Sequence, residues 1–267
     1  TSVDANNNGT IESGEILSIG DANNNGVIDI NEVLDERIAW VSRLPNNLPA
    51  GAPFNSASTF ASLGRSLAID KNGDIWISSS GNAVYYKMRG SDGQIIGGPI
   101  SVAGHYPYGA LVDGNGILWG ATLGGGTLLK LDTNTNAVQT IPLQNGNSYG
   151  IALGNGKVYL GSNCPYLEFN PANNVFTPKT GGACTSGLAV DSQGSIYVGY
   201  GTVQKYNSSG TLVWSAAPYT GTGYGVGIQI DSNGDVWQID LSAHRICKFK
   251  GSDGSKLGCI PVGNSPY

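Results

Sequence analysis

Apolar residues between positions 66 and 239 alternate with polar ones instead of recurring at helical spacing, and they do so in five copies. The copies read SLAIDKNGDIWIS from Ser66, GALVDGNGILWGA from Gly109, GIALGNGKVYLGS from Gly150, GLAVDSQGSIYVG from Gly187 and GIQIDSNGDVWQI from Gly227. Each holds a short apolar run, a polar turn with a glycine, and a second apolar run. The turn glycines are Gly73, Gly116, Gly156, Gly194 and Gly234, each followed three residues later by Trp76, Trp119, Tyr159, Tyr197 or Trp237. Both series advance by 43, 40, 38 and 40 residues. Period-two alternation around a glycine turn predicts a hairpin. A third strand such as 203–206 and a fourth such as 211–215 complete each unit. Four antiparallel strands in about 40 residues are the unit of a propeller blade. The chain is therefore expected to be all-β, a five-bladed β-propeller in which the repeated aromatics fill the wedges between blades. A six-bladed ring that recruits residues 54–63 is the alternative. Closure at five blades requires Tyr267 to approach Ser66.

A different pattern precedes the repeats. Residues 4–15 read DANNNGTIESGE and residues 21–32 read DANNNGVIDINE, two twelve-residue loops that begin 17 residues apart. Calcium takes six to eight hard oxygens, and EF-hand loops supply them from positions 1, 3, 5, 7, 9 and 12 around a glycine at position 6. The first loop offers Asp4, Asn6, Asn8, the Thr10 carbonyl and Glu15, with Gly9 at the bend. The second offers Asp21, Asn23, Asn25, the Val27 carbonyl, Asp29 and Glu32. Two Ca2+ ions are expected. Asparagine at positions 3 and 5 lowers the charge of each shell and predicts weak affinity suited to millimolar extracellular calcium. Val33, Leu34, Ile38, Val41 and Leu44 then form one stripe of a predicted helix over 32–44. The tandem is similar to the compact calcium repeats of dockerins over residues 1–44, although it ends each loop with Glu instead of Asp and has short spacing, so cohesin binding is not carried over.

Composition narrows the classes. Glycine is 41 of 267 residues and charged residues are 12%, about twice and half the usual shares, which suits many tight turns. A net charge of −5 without a basic cluster argues against nucleic acid and anionic membranes as partners. No apolar run approaches the length of a membrane span. The chain opens at Thr1 and not on methionine, which fits removal of a leader or anchor upstream. Four cysteines form two local pairs. Cys247 and Cys259 are symmetric about Asp253 in the turn 251–254, so a hairpin there brings them opposite one another. Cys164 and Cys184 bracket a predicted hairpin of 166–170 and 175–179. Two disulfides imply an oxidising, secreted or cell-surface setting.

The blade core G-[IL]-A-[VI]-D-x-x-G-x-[IV]-[WY] resembles NHL-type and virginiamycin B lyase-type propellers across residues 60–267. In the lyases the resemblance implies a magnesium-dependent elimination by histidines and a glutamate at the channel mouth. This chain has only His105 and His244, no Glu-x-His pair, and Asp240 as the nearest strand-end acid, so the catalytic set does not transfer.

The loops that feed the innermost strands carry His105, Tyr106, Tyr108, Asn147, Tyr149, Thr185 and Tyr224. Aromatic faces beside amides and hydroxyls suit a protein or glycan ligand at the channel mouth. The expected organisation is a calcium-binding segment over 1–44, a linker over 45–59 and a propeller over 60–267. The expected function is a non-enzymatic extracellular binding, adhesion or structural module, part of a larger surface protein or filament. The alternative is a metal-dependent lyase or glycan-acting enzyme using His105 with Asp240.

Overall fold

The computed structural model describes residues 6–8, 38–40, 42, 44–45, 64–143, 148–161, 165–179, 186–216, 225 and 227–263. Among these the regular structure is all β, and no helix is long and apolar enough to cross a membrane. Two compact units are present, Thr1–Ser101 and Val102–Tyr267.

The first unit contains one four-stranded sheet: β1 (Leu67–Ile69), β2 (Ile75–Ser79), β3 (Val84–Met88) and β4 (Ile95–Ser101). The second contains four more. They are β5 (Pro107–Val112), β6 (Ile117–Thr122), β7 (Thr127–Asp132) and β8 (Val138–Pro142); β9 (Ile151–Gly154), β10 (Lys157–Leu160), β11 (Leu167–Asn170) and β12 (Val175–Pro178); β13 (Gly187–Val190), β14 (Ile196–Gly199), β15 (Val203–Tyr206) and β16 (Leu212–Ala216); and β17 (Ile228–Ile230), β18 (Val236–Asp240), β19 (Arg245–Phe249) and β20 (Lys256–Pro261). Each sheet is an antiparallel meander with its strands in chain order. The five predicted repeats are these five sheets.

Within the second unit the first strands β5, β9, β13 and β17 are successive neighbours, and adjacent sheets pack face on face. Trp119 and Leu128 meet Val158 and Phe169; Ala152 and Tyr159 meet Leu188 and Val198; Ala189 and Tyr197 meet Val236 and Phe249. Trp119 and Phe169 are tilted with ring centroids 5.7 Å apart, a geometry that adds to the area they bury.

The turn motif has a polar reason. Asp70 Oδ1 accepts the backbone N–H groups of Asn72 (2.9 Å) and Asp74 (3.1 Å), while its Oδ2 accepts the Trp76 indole N–H (3.1 Å). Asp113 does the same with Asn115, Ile117 and Trp119, Asp191 with Gln193, Ser195 and the Tyr197 hydroxyl, and Asp231 with Asn233, Asp235 and Trp237. An Asx turn is thereby bolted to the aromatic six residues on. The lysine that faces this aromatic on the third strand stands over its ring: Lys87 at 5.5 Å, Lys130 at 5.9 Å, Lys205 at 5.1 Å and Lys248 at 5.3 Å. Lys87 also bridges Asp70 (3.0 Å) and Asp74 (3.1 Å), and Lys248 bridges Asp231 and Asp235 (3.0 Å each). The Trp237 indole and the Lys248 ammonium hold the Asp231 carboxyl well below the usual carboxylate range. Four of the aromatics are thus more than wedge-fillers: Trp76, Trp119, Tyr197 and Trp237 are each the centre of an Asp, aromatic and Lys lock built from one sheet.

The third sheet departs from this scheme. Gly154 stands where the aspartate would be, Asn155 (φ 52°) and Gly156 (φ 69°) make a two-residue turn, and Tyr159 faces Glu168 in place of a lysine. Glu168 is held by Lys157 and by Lys179 at 2.8 Å. Burial pushes its carboxyl up, but the two ammonium groups outweigh this and leave it below its ordinary value. The charges have been exchanged between strands, and the position is filled from the opposite side.

Two expectations change. Described residues within the predicted helix 32–44, namely 38–40, 42 and 44, have no helical structure; Pro45 disfavours helix at Leu44, and Trp40 instead donates its indole N–H to the Gly90 carbonyl (2.8 Å). The aromatics' role as packing residues is extended as above. The Cys247–Cys259 disulfide is present, its partners directly opposite in the β19–β20 register. Cys164, Cys184, residues 54–63 and Tyr267 lie outside the described residues.

Candidate functional site

The loop entering β5 places the predicted mouth residues beside the β6–β7 turn. The Tyr106 N–H donates to Thr122 Oγ1 (3.3 Å) and the Leu123 N–H to the Tyr106 carbonyl (3.2 Å). The next entry loop is joined to it: Ser148 N–H donates to the Thr122 carbonyl (3.1 Å), and the Thr122 N–H donates to Ser148 Oγ (3.0 Å). This reciprocal pair carries the neighbouring tyrosines together, so that the rings of Tyr108 and Tyr149 lie with centroids 4.5 Å apart and planes tilted by 48°. Both are half-buried; Tyr106, two residues before Tyr108 and with its ring near Gly125, is 49% exposed. Asn147, Thr185 and Tyr224 lie outside the described residues.

His105 is placed differently from the reading that puts it at an open mouth. It is fully buried, with Nδ1 3.0 Å from Thr127 Oγ1. The Thr127 hydroxyl donates to the Gly104 carbonyl (3.4 Å). Nε2 has no hydrogen-bond partner among the described residues and is pressed toward Gly120, where an added Cβ would lie 3.2 Å away. Burial lowers the imidazole pKa to about 4, so at neutral pH the ring is uncharged.

Asp240 ends β18 at the register that Thr122 holds in β6, three residues past the aromatic. It is buried, accepts the Arg245 Nε–H (2.9 Å) and caps the Ala243 N–H (3.1 Å). His244 is exposed in the β18–β19 turn with φ 53°. Neither His105 nor Asp240 is presented to a ligand. Among the described residues, no three His, Cys, Asp or Glu side chains are grouped to hold a metal ion, and the Asp240 carboxylate is already engaged by Arg245. These residues do not fit the magnesium centre that the lyase resemblance implies. Of the calcium loops only Asn6, Asn7 and Asn8 are described; Asn6 Oδ1 accepts the Asn8 N–H (3.0 Å). The remaining predicted ligands, Asp4, Thr10, Glu15, Asp21, Asn23, Asn25, Val27, Asp29 and Glu32, lie outside.

Among the described residues, two concavities lie in the second unit. One, of about 270 Å³, is lined by the first strands of its four sheets, including Leu111, Ile151, Leu188 and Ile230. The other, of about 390 Å³, lies at the opposite end of the strands from Tyr106, between the Asp113 turn and the Asn155–Gly156 turn, with Trp119, Lys157 and Pro171 in its wall.

No protein-family model matches the sequence, and no curated protein does. Solved structures do match. A streptogramin B lyase is 15% identical with a TM-score of 0.66, over 78% of this chain and 71% of its own. The fold is a β-propeller. A catalytically inactive virginiamycin B lyase from Staphylococcus aureus with quinupristin is 16% identical with a TM-score of 0.65, over 75% of this chain and 70% of its own. A gluconolactonase from Xanthomonas campestris is 15% identical with a TM-score of 0.53, over 67% and 69%. Identity at this level establishes the propeller and leaves activity to the residues.

Missing from the sequence reading is the Asp, aromatic and Lys lock. Its signal is present: an aspartate six residues before the aromatic in four copies, and a lysine eleven residues after it in three.

Proposed function

We propose that this propeller is a non-enzymatic extracellular binding module that takes a protein or glycan ligand at the channel mouth, on the ledge formed by Tyr106, Tyr108 and Tyr149. The paired Tyr108 and Tyr149 rings carry the reading: the loop before Tyr149 is tied to the end of β6 by the reciprocal Thr122–Ser148 bonds, so little conformational freedom is lost when a sugar face or an apolar side chain stacks on them. Withdrawal of His105 and Asp240 from the surface favours binding over turnover. A glycan and peptide array with and without calcium identifies the ligand class. Tyr108→Ala and Tyr106→Ala are each expected to weaken that binding at least tenfold, about 1.4 kcal/mol, in a titration of the identified ligand. Unchanged affinity in both variants would remove the ledge from the site.

In the same proposal the N-terminal loops bind two Ca2+ ions through the side chains and carbonyls named above and stiffen the leading segment. Ions that bind only the folded state stabilise it by mass action. Chelation is therefore expected to lower the melting temperature by several degrees, and identical melting curves in millimolar calcium and in chelator would refute the calcium sites.

The fold likeness to lyases supports a second reading, a virginiamycin B lyase-type activity. Incubation with quinupristin and magnesium, followed by chromatography, tests it directly. Turnover that survives His105→Ala would dispose of the version in which His105 is the base.

A further inference from the structure

Two of the five sheets join their third and fourth strands through nearly the same sequence: Arg89-Gly90-Ser91-Asp92-Gly93 in the first sheet and Lys250-Gly251-Ser252-Asp253-Gly254 in the fifth. The turns are alike in detail. Gly93 (φ 70°) and Gly254 (φ 75°) close them by donating to the carbonyls of Arg89 and Lys250, at 2.8 Å in each case. Gly90 and Gly251 lie so close to the carbonyls of Gly73 and Gly234 that a Cβ would overlap them. An Arg89–Asp92 pair at 2.8 Å and a Lys250–Asp253 pair at 3.6 Å flank the two turns.

In the fifth sheet this turn receives a tryptophan. Trp214, on the outermost strand β16 of the preceding sheet, donates its indole N–H to the Gly251 carbonyl (3.1 Å). Its six-membered ring lies against Gly254, where an added Cβ would be 2.6 Å from Cε3 and 2.8 Å from Cδ2. The first sheet receives one too, from a segment with no assigned strand. Trp40 donates to the Gly90 carbonyl (2.8 Å), and a Cβ at Gly93 would overlap the same ring atoms, Cε3, Cζ3 and Cδ2. Local sequence follows the correspondence: Ile38-Ala39-Trp40-Val41-Ser42 beside Leu212-Val213-Trp214-Ser215-Ala216. Two further contacts hold the segment. Leu44 Cδ1 lies 3.4 Å from where a Cβ on Gly64 would be, and the Tyr86 hydroxyl donates to the Pro45 carbonyl (3.4 Å). The other three sheets use different turns, closed in two cases by Asn136 (φ 62°) and Asn174 (φ 57°), and none of these receives an indole N–H among the described hydrogen bonds.

We infer that the Gly-Ser-Asp-Gly turn is a tryptophan-docking surface, and that the segment of Trp40, Leu44 and Pro45 occupies the one on the first sheet as a substitute for the outer strand of a preceding blade. The partner it fits is an extended segment with a central tryptophan flanked by small or aliphatic residues. The two glycines are required for different reasons. The first must bring its carbonyl to the indole N–H, and the second must present a bare backbone to the indole face. Trp40 thereby fastens its segment to the first sheet by a side-chain anchor, and among the described residues 38–40, 42, 44 and 45 there is no strand.

Limited trypsin digestion of the full chain tests this, because Arg43 stands in the sequence between the anchored residues Trp40 and Leu44, and release of that anchor is expected to speed cleavage there. Trp40→Ala is expected to raise the initial rate of cleavage after Arg43 at least tenfold, with Trp40→Phe intermediate because it keeps the ring contact and loses the hydrogen bond. Gly93→Ala should release the segment as Trp40→Ala does, and Gly254→Ala, at the corresponding turn of the fifth sheet, should leave cleavage at Arg43 unchanged. Circular dichroism confirms that each variant retains its sheet. A folded Trp40→Ala protein cut after Arg43 at the wild-type rate would overturn the inference. Equal acceleration by Gly254→Ala would also overturn it, by showing that the rate reports general loosening.

Discussion

Glu168→Lys is expected to destabilise the protein by about 3–5 kcal/mol, measured by denaturant unfolding, although it restores the residue type found at that register in the other four sheets. The consensus fails here for a local reason. Lys157 and Lys179 both converge on Glu168, so a third ammonium would meet two like charges in a largely buried place. No aspartate waits to receive it, because the equivalent position is Gly154, where even a Cβ would overlap the Val190 side chain. Glu168→Gln keeps the shape and accepts one hydrogen bond, and its cost should be smaller, about 1–2 kcal/mol. A Glu168→Lys protein as stable as the wild type would show that the exchanged charges do not hold the third sheet.

The second large effect is a pH dependence seated at His105. The folded-state pKa is lowered to about 4 by burial, against about 6.5 in an unfolded chain. The sign follows from which state takes the proton. Above pH 6.5 the ring is neutral in both states and costs nothing. Between pH 6.5 and 4 the unfolded chain binds a proton that the folded one refuses, so stability is lost as pH falls. The full span amounts to about 3 kcal/mol, or roughly 6–10 °C in melting temperature for a protein of this size. Carboxylates contribute their own acid sensitivity; Asp70, for example, is held below its ordinary value, with burial outweighed by Trp76 and Lys87. The useful quantity is therefore the difference between wild type and His105→Gln, followed from pH 7 to 4.5. That difference should shrink by about 2.4 kcal/mol over the range, and a constant difference would place the imidazole in solvent.

These two residues also mark what a linear reading can reach. The sheets were legible because their determinants are local: a glycine at positive φ, alternation on each side of it, and a period near 40. The Cys247–Cys259 bridge was legible for the same reason, since symmetry about a hairpin turn fixes which residues face each other. The Asp, aromatic and Lys lock was equally local and went unread because a buried aromatic has an adequate explanation in packing alone. His105 was beyond reach. Its position in an entry loop suggested exposure, and its burial depends on Thr127 and Gly120, contributed by another hairpin. The arginine beside His244 carried a partial hint, because Arg245 is the residue that neutralises Asp240, but only the β18–β19 register brings them together.

Each lock draws its aspartate from the first turn of one meander and its ring and lysine from the second and third strands, and Lys205 in addition donates to the Gly251 carbonyl of the next sheet (3.1 Å). Such a module can be copied in tandem with most of its polar wiring already complete, leaving the apolar surfaces and a few links such as Thr122–Ser148 and Trp214–Gly251 to be refitted at a new junction. The third sheet shows the corollary: because most of the circuit is private, its polarity could reverse in one repeat without any compensating change in the others.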